Sequence, residues 1–137
     1  MDEVRVKVKL TNFIDDALLR RGQLSADKVR RYEADARVDT GAVSSVLPLH
    51  IVQALELAIR GQRVAEYADG RHDTFDLTDS LIFDIKGRDT ADEALVLGDE
   101  VLIGQTVLEK LDLLVDCANR RVVPNPAHPD QPVLKIK

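Results

Sequence analysis

The residues best suited to chemistry are Asp39, Thr40 and Gly41. The run Tyr32-Glu33-Ala34-Asp35-Ala36-Arg37-Val38 alternates in strand fashion and leads into them, and the small residue Ala42 follows. A strand fixes the backbone behind the carboxylate, and a glycine two residues on lets a second backbone or a ligand come close. Peptide hydrolysis by carboxylates needs two of them. One, ionised, activates water; the other, protonated, donates to the carbonyl oxygen. Two carboxyls about 3 Å apart do not both ionise readily, so they share one proton. The tripeptide occurs once in this chain of 137 residues. A second copy related by a two-fold axis is therefore the simplest source of the second carboxylate.

The elements that must position this turn are mostly short strands. Val4, Val6, Val8 and Leu10 alternate with Arg5, Lys7 and Lys9, which predicts a half-buried strand with a basic outer face. Residues 11–28 break that pattern and read as an insertion between strands. Within it, Asp15 to Arg21 resembles two helical turns, acidic first and basic last, with Gly22 as the stop and Ser25 as the cap of another short turn. The strand before the turn covers about 29–38. After the turn come the short apolar segment 43–47 and, from Pro48, a helix with Ile51, Leu55, Leu57 and Ala58 on its apolar stripe, closed by Gly61. A hairpin is expected over 63–77, turning at Ala68-Asp69-Gly70-Arg71. Further strands are expected at 80–85, with Lys86-Gly87-Arg88-Asp89 as the next turn, and at Val101-Leu102-Ile103, closed by Gly104. A helix over 105–111 and paired strands at 113–115 and 121–123 follow. Beyond Pro124, Pro126, Pro129 and Pro132, a terminal strand is expected at 133–136. No linker or repeat divides the chain, so it reads as a single domain, 1–137, of mainly β class.

The apolar-Gly segment matters because it follows Asp39 at an interval that holds one hairpin and one further strand. In this arrangement the chain resembles the retroviral-type (retropepsin-like) aspartic proteases, and most closely their small single-domain prokaryotic members. Ala36-Arg37-Val38-Asp39-Thr40-Gly41-Ala42 and Leu102-Ile103-Gly104 carry the resemblance, together with the order strand, catalytic turn, hairpin, apolar-Gly, helix, over about residues 29–125. It implies a retropepsin-like closed β-barrel with one or two short helices, and aspartic endopeptidase activity on a peptide or protein substrate. Asp39 would be the catalytic carboxylate of a homodimer. Thr40 would lock the turn by hydrogen bonding across that dimer, Gly41 would permit close approach, and Ala42, Leu102, Ile103 and Gly104 would support the loop. The hairpin tip Tyr67-Ala68-Asp69-Gly70-Arg71 would be the flap that closes over substrate, and no metal or cofactor would be needed. The chain departs from the viral enzymes at the flap tip, where Asp69 and Arg71 replace a glycine-rich sequence. It departs again after the turn, where Val43 and Ser44 stand instead of a carboxylate. Viral dimers interleave both termini in one sheet, and the terminal strands 4–10 and 133–136 are the candidates for that role. The alternative is a non-catalytic dimeric peptide-binding or dimerisation module on the same fold.

Composition narrows the remaining classes. A net charge of -5, with acidic residues interleaved among Arg20-Arg21, Arg30-Arg31 and Arg120-Arg121, argues against a nucleic-acid partner. The single cysteine, Cys117, forms no intrachain disulfide and makes a reducing cytoplasm the expected compartment. No apolar run reaches the ~20 residues of a membrane span, and the amino terminus lacks the pattern of a signal peptide. His50, His72 and His128 show no metal-ligand spacing, and Asp73, Asp76 and Asp79 lack the glycine and glutamate positions of a calcium loop.

Overall fold

The computed structural model of the chain describes residues 3–136. Its elements are β1 (Arg5–Asn12), α1 (Phe13–Arg20), β2 (Arg31–Val38), β3 (Ser45–Leu47), α2 (Leu49–Ala54), β4 (Ile59–Glu66), β5 (His72–Thr78), β6 (Leu81–Ile85), β7 (Arg88–Asp92), β8 (Ala94–Val96), β9 (Leu102–Ile103), α3 (Gln105–Leu111), β10 (Leu113–Asp116) and β11 (Arg121–Pro124). The fold is mainly β. Nine strands form one curled, half-barrel sheet in the order β4-β5-β8-β3-β9-β2-β1-β6-β7, and β10 and β11 pair separately.

β1 is the spine of the core. Val6, Val8 and Leu10 are buried while Arg5, Lys7 and Lys9 face out, as their alternation requires. Burial continues through Thr11 and Asn12, so β1 runs two residues beyond the predicted strand. It is antiparallel to β2 on one side and to β6 on the other. The β2 edge is paired over residues 5–11 and the β6 edge over residues 9–12. Phe83, Leu47, Leu55, Leu81, Ile103 and Leu111 pack with it in one core cluster.

The stretch beyond β1 is a buttress. Asn12 caps α1, its Oδ1 accepting the Asp15 N–H at 3.0 Å. Asp15 is buried, and its carboxylate accepts from Arg30 N–H (2.9 Å), Nε (2.8 Å) and Nη2 (2.9 Å). The Arg30 guanidinium holds the Asp15 carboxyl below its usual range, outweighing the opposing effect of burial. Ser25 precedes the 3-10 turn Ala26–Lys28 as expected, but its side chain makes no capping bond.

Three predicted boundaries shift. α2 stops at Ala54, not Gly61, because Leu57 N–H reaches Val52 O (3.0 Å) and Glu56 N–H reaches Gln53 O (3.0 Å), with Glu56 at φ 50°. This paired closure normally places glycine where Glu56 stands. Gly61 lies within β4 at a register shift against β5. Lys86 and Gly87 alone, both at positive φ, turn β6 into β7, so Arg88 and Asp89 begin a strand. Residues 133–136 form no strand. Val133 N–H is instead taken by Asp112 Oδ2 at 3.0 Å, and Leu134 and Ile136 are exposed.

Candidate active site

The site is built by a crossing. β9 is hydrogen-bonded between β2, to which it runs parallel, and β3, to which it is antiparallel. The chain leaves β2 at Val38 and returns on the far side of β9 as β3, so residues 39–44 form the connection that passes the end of β9. The register Arg37↔Leu102 and Val38↔Ile103 continues as Asp39 N–H to Ile103 O at 3.0 Å. On the other edge Val38 N–H bonds Val4 O at 2.9 Å. The Val38–Asp39 segment is thereby held from both sides.

The carboxylate is oriented locally. Asp39 Oδ1 accepts the Gly41 N–H at 2.9 Å, and Ala42 N–H bonds Asp39 O at 3.2 Å. A Cβ on Gly41 would lie 3.2 Å from that same Oδ1, tighter than an ordinary contact, so an added methyl would press on the carboxylate. Asp39 and Ala42 are half-buried, whereas Thr40, Gly41 and Val43 are exposed.

Gly104 locks the crossing. A Cβ there would fall 2.6 Å from Ser44 C and O and 2.7 Å from Val43 O, all backbone atoms. Its φ of -90° is open to any residue, so the requirement is purely steric. Its buried N–H donates to Ser45 Oγ at 2.9 Å. The next two amides of α3, Gln105 and Thr106, bond Ala42 O (2.7 Å) and Val43 O (3.2 Å). The first amides of a helix have no partner within it, and here the loop carbonyls supply one. Ile103 is fully buried behind the loop and Leu102 half-buried. Ser45 is a supporting residue that the sequence reading did not single out. Its position in a short apolar run after the turn is the signal that it faces inward.

A cleft of about 410 Å³ opens at the turn, lined by Glu3, Val4, Arg37, Val38, Asp39, Thr40, Val115 and Cys117. Arg5 binds Glu3 (2.9 Å) and Glu100 (3.1 Å) beside it, and Arg37 approaches the same two carboxylates at 3.6 and 4.0 Å. The exposed thiol of Cys117 shares this cleft, and no histidine lines it. A cleft of about 400 Å³ on the outer face of β1, β2 and β6 has a different character. There Lys7 stands opposite Asp35, and Lys9 lies between Glu33 and Asp84, as on a solvated charged sheet face.

The hairpin is present where expected. Its tip closes through Tyr67 N–H to Arg71 O (2.8 Å) and Gly70 N–H to Tyr67 O (2.9 Å). Asp69 pairs with Arg71 at 2.8 Å, and the Arg71 guanidinium lies 4.7 Å from the Tyr67 ring centroid. Ala68 is exposed within it. No residue of this tip lines the Asp39 cleft. The three histidines lie apart: His50 meets Tyr32 edge-on, His72 pairs with Glu66 at 2.8 Å, and His128 with Asp112 at 2.6 Å. Among the described residues no group of three or more His, Cys, Asp or Glu is arranged to hold a metal ion. Among the same residues no helix is long and apolar enough to cross a membrane.

No protein-family profile matches the chain, and no curated protein sequence does. Among solved structures, the chain is similar to the simian foamy virus (mac) protease in solution, at 15% identity and a TM-score of 0.48, over 76% of this chain and 90% of that one. It is also similar to the EIAV protease complexed with the inhibitor HBY-793, at 22% identity and a TM-score of 0.48, over 56% of this chain and 75% of that one.

Proposed function

We propose that the chain is a retropepsin-like aspartic endopeptidase in which Asp39 from each of two copies forms the catalytic pair. The observation that carries this reading is the orientation of Asp39: its N–H is held by Ile103 O, the preceding Val38 N–H by Val4 O, and its carboxylate is turned by the Gly41 N–H at the wall of an open cleft. The exposure of Thr40 and Gly41 supports a second copy facing the turn. In the pair, the ionised carboxylate takes a proton from a water whose oxygen attacks the scissile carbonyl carbon. The protonated partner donates to the carbonyl oxygen. Collapse of the tetrahedral intermediate passes a proton to the amine and breaks the C–N bond. Thr40 would brace the facing turns, and the Tyr67–Arg71 hairpin tip would close over the peptide.

The test is cleavage of a peptide library from acid to neutral pH. Cleavage is expected from the parent chain, inhibited by a statine-type peptide that mimics the tetrahedral intermediate. Asp39→Asn is expected to lower it by about 10³-fold or more while dimerisation persists. A folded dimer that cleaves nothing at any pH would favour a peptide-binding module instead.

A further inference from the structure

Beside Asp39 the cleft carries a cation with donors to spare. Arg37 lies two residues before Asp39, on the strand that ends at it, and both side chains line the same cleft. Residues two apart in a strand share a face, about 6.6 Å apart along it. Glu3 and Glu100 are already engaged by Arg5, which donates from Nε to Glu3 (3.1 Å) and from Nη2 to Glu100 (3.1 Å). Arg37 reaches them only at 3.6 and 4.0 Å, and among the described residues its guanidinium donates no hydrogen bond. A guanidinium has five N–H donors in a planar fork that matches a carboxylate. Val4, Val38 and Val115 form the apolar part of the cleft wall, which suits the aliphatic part of a side chain, while Glu3, Thr40 and Cys117 complete the lining.

We infer that Arg37 is a specificity-determining residue that receives an acidic side chain of the peptide, Glu or Asp, next to the bond facing Asp39. This deepens the endopeptidase reading and rests on it for where the peptide lies. It assigns the protein a substrate class: peptides with a carboxylate flanking the scissile bond. The apolar wall favours the longer Glu.

Binding separates this inference from catalysis. A peptide series with a reduced, uncleavable amide at the scissile position, carrying Glu, Gln, Leu or Lys beside it, is titrated against the full chain by fluorescence anisotropy near neutral pH. Glu is expected to bind about tenfold or more tighter than Gln. Arg37→Met should erase that difference, and Arg37→Glu should shift preference to Lys. Arg37→Lys, which keeps the charge and loses the fork, should retain only part of the Glu preference. Because Arg5 retains Glu3 and Glu100, these variants are expected to stay folded, and circular dichroism checks this. Equal binding of Glu and Gln by the parent chain, or a Glu preference that survives Arg37→Met, overturns the inference, as does failure of the whole series to bind. Glu-selective binding without hydrolysis of the corresponding amide peptides would sink the endopeptidase reading and leave the role of Arg37 standing.

Discussion

Gly104→Ala tests the crossing that builds the site. The new methyl carbon would sit 2.6 Å from Ser44 C and O and 2.7 Å from Val43 O. Carbon contacts are favourable near 3.5–4.0 Å, so the loop must retreat by roughly 1 Å. None of the obstructing atoms belongs to a flexible side-chain end. That retreat stretches the Gln105–Ala42 and Thr106–Val43 bonds, now 2.7 and 3.2 Å, and the Gly104–Ser45 bond, now 2.9 Å. Overpacking alone costs about 1–3 kcal/mol, and each weakened hydrogen bond up to about 1 kcal/mol. The expected loss is about 3–4 kcal/mol, read as a lower urea midpoint at unchanged slope. Ser45→Ala is the companion. It leaves the loop in place but orphans the buried Gly104 N–H, for about 1–3 kcal/mol. A Gly104→Ala loss below about 1 kcal/mol would mean that the loop has room that the structure denies it.

Two further predictions concern the frame around the site. Asp15→Ala should destabilise by about 2 kcal/mol near neutral pH, since the Arg30 N–H and guanidinium lose a buried acceptor. Because Asp15 is held below its usual range, its contribution is present above the unfolded carboxylate value of about 3.9 and is lost as pH falls through the lower folded value. The difference in urea midpoint between parent and variant should therefore narrow as pH falls from 7 toward 2. A constant gap would show that the ion pair is not the cause. Glu56→Gly should stabilise by about 0.5 kcal/mol in thermal melts. Relief of the left-handed backbone is worth about 1 kcal/mol, and the exposed pair with Arg30 less than that. A fall in melting temperature would mean that the Arg30 pair dominates.

Elements with strong local signals were legible in the sequence. Alternation gave β1 its inner face of Val6, Val8 and Leu10, and Asp-Gly at 69–70 marked the hairpin turn. Gln105 to Leu111 is helical to the residue. Elements set by distant partners were not legible. The α2 stop depends on a closure in which Glu56 adopts a conformation that its side chain does not advertise. The residues of β7, Arg88–Asp92, are mostly polar and owe their strand to pairing with β6. The terminal residues 133–136 carry a strand-like pattern, yet Asp112 takes the Val133 N–H and no ladder forms. At the site, Asp39 and Gly104 stood out by type. That Gly104 must lack a Cβ because Val43 and Ser44 cross it follows only from the pairing of β9 between β2 and β3.

The claim that two Asp39 side chains share one active site is tested most directly by mixing. Chains carrying Asp39→Asn are unfolded and refolded together with parent chains at fixed total concentration, and peptide cleavage is followed as the parent fraction falls. If each site needs an Asp39 from both copies, activity should follow the square of the parent fraction, reaching about a quarter at equal mixing for random pairing. A linear decline, to one half at equal mixing, would show that each chain works alone and would contradict the shared carboxylate pair.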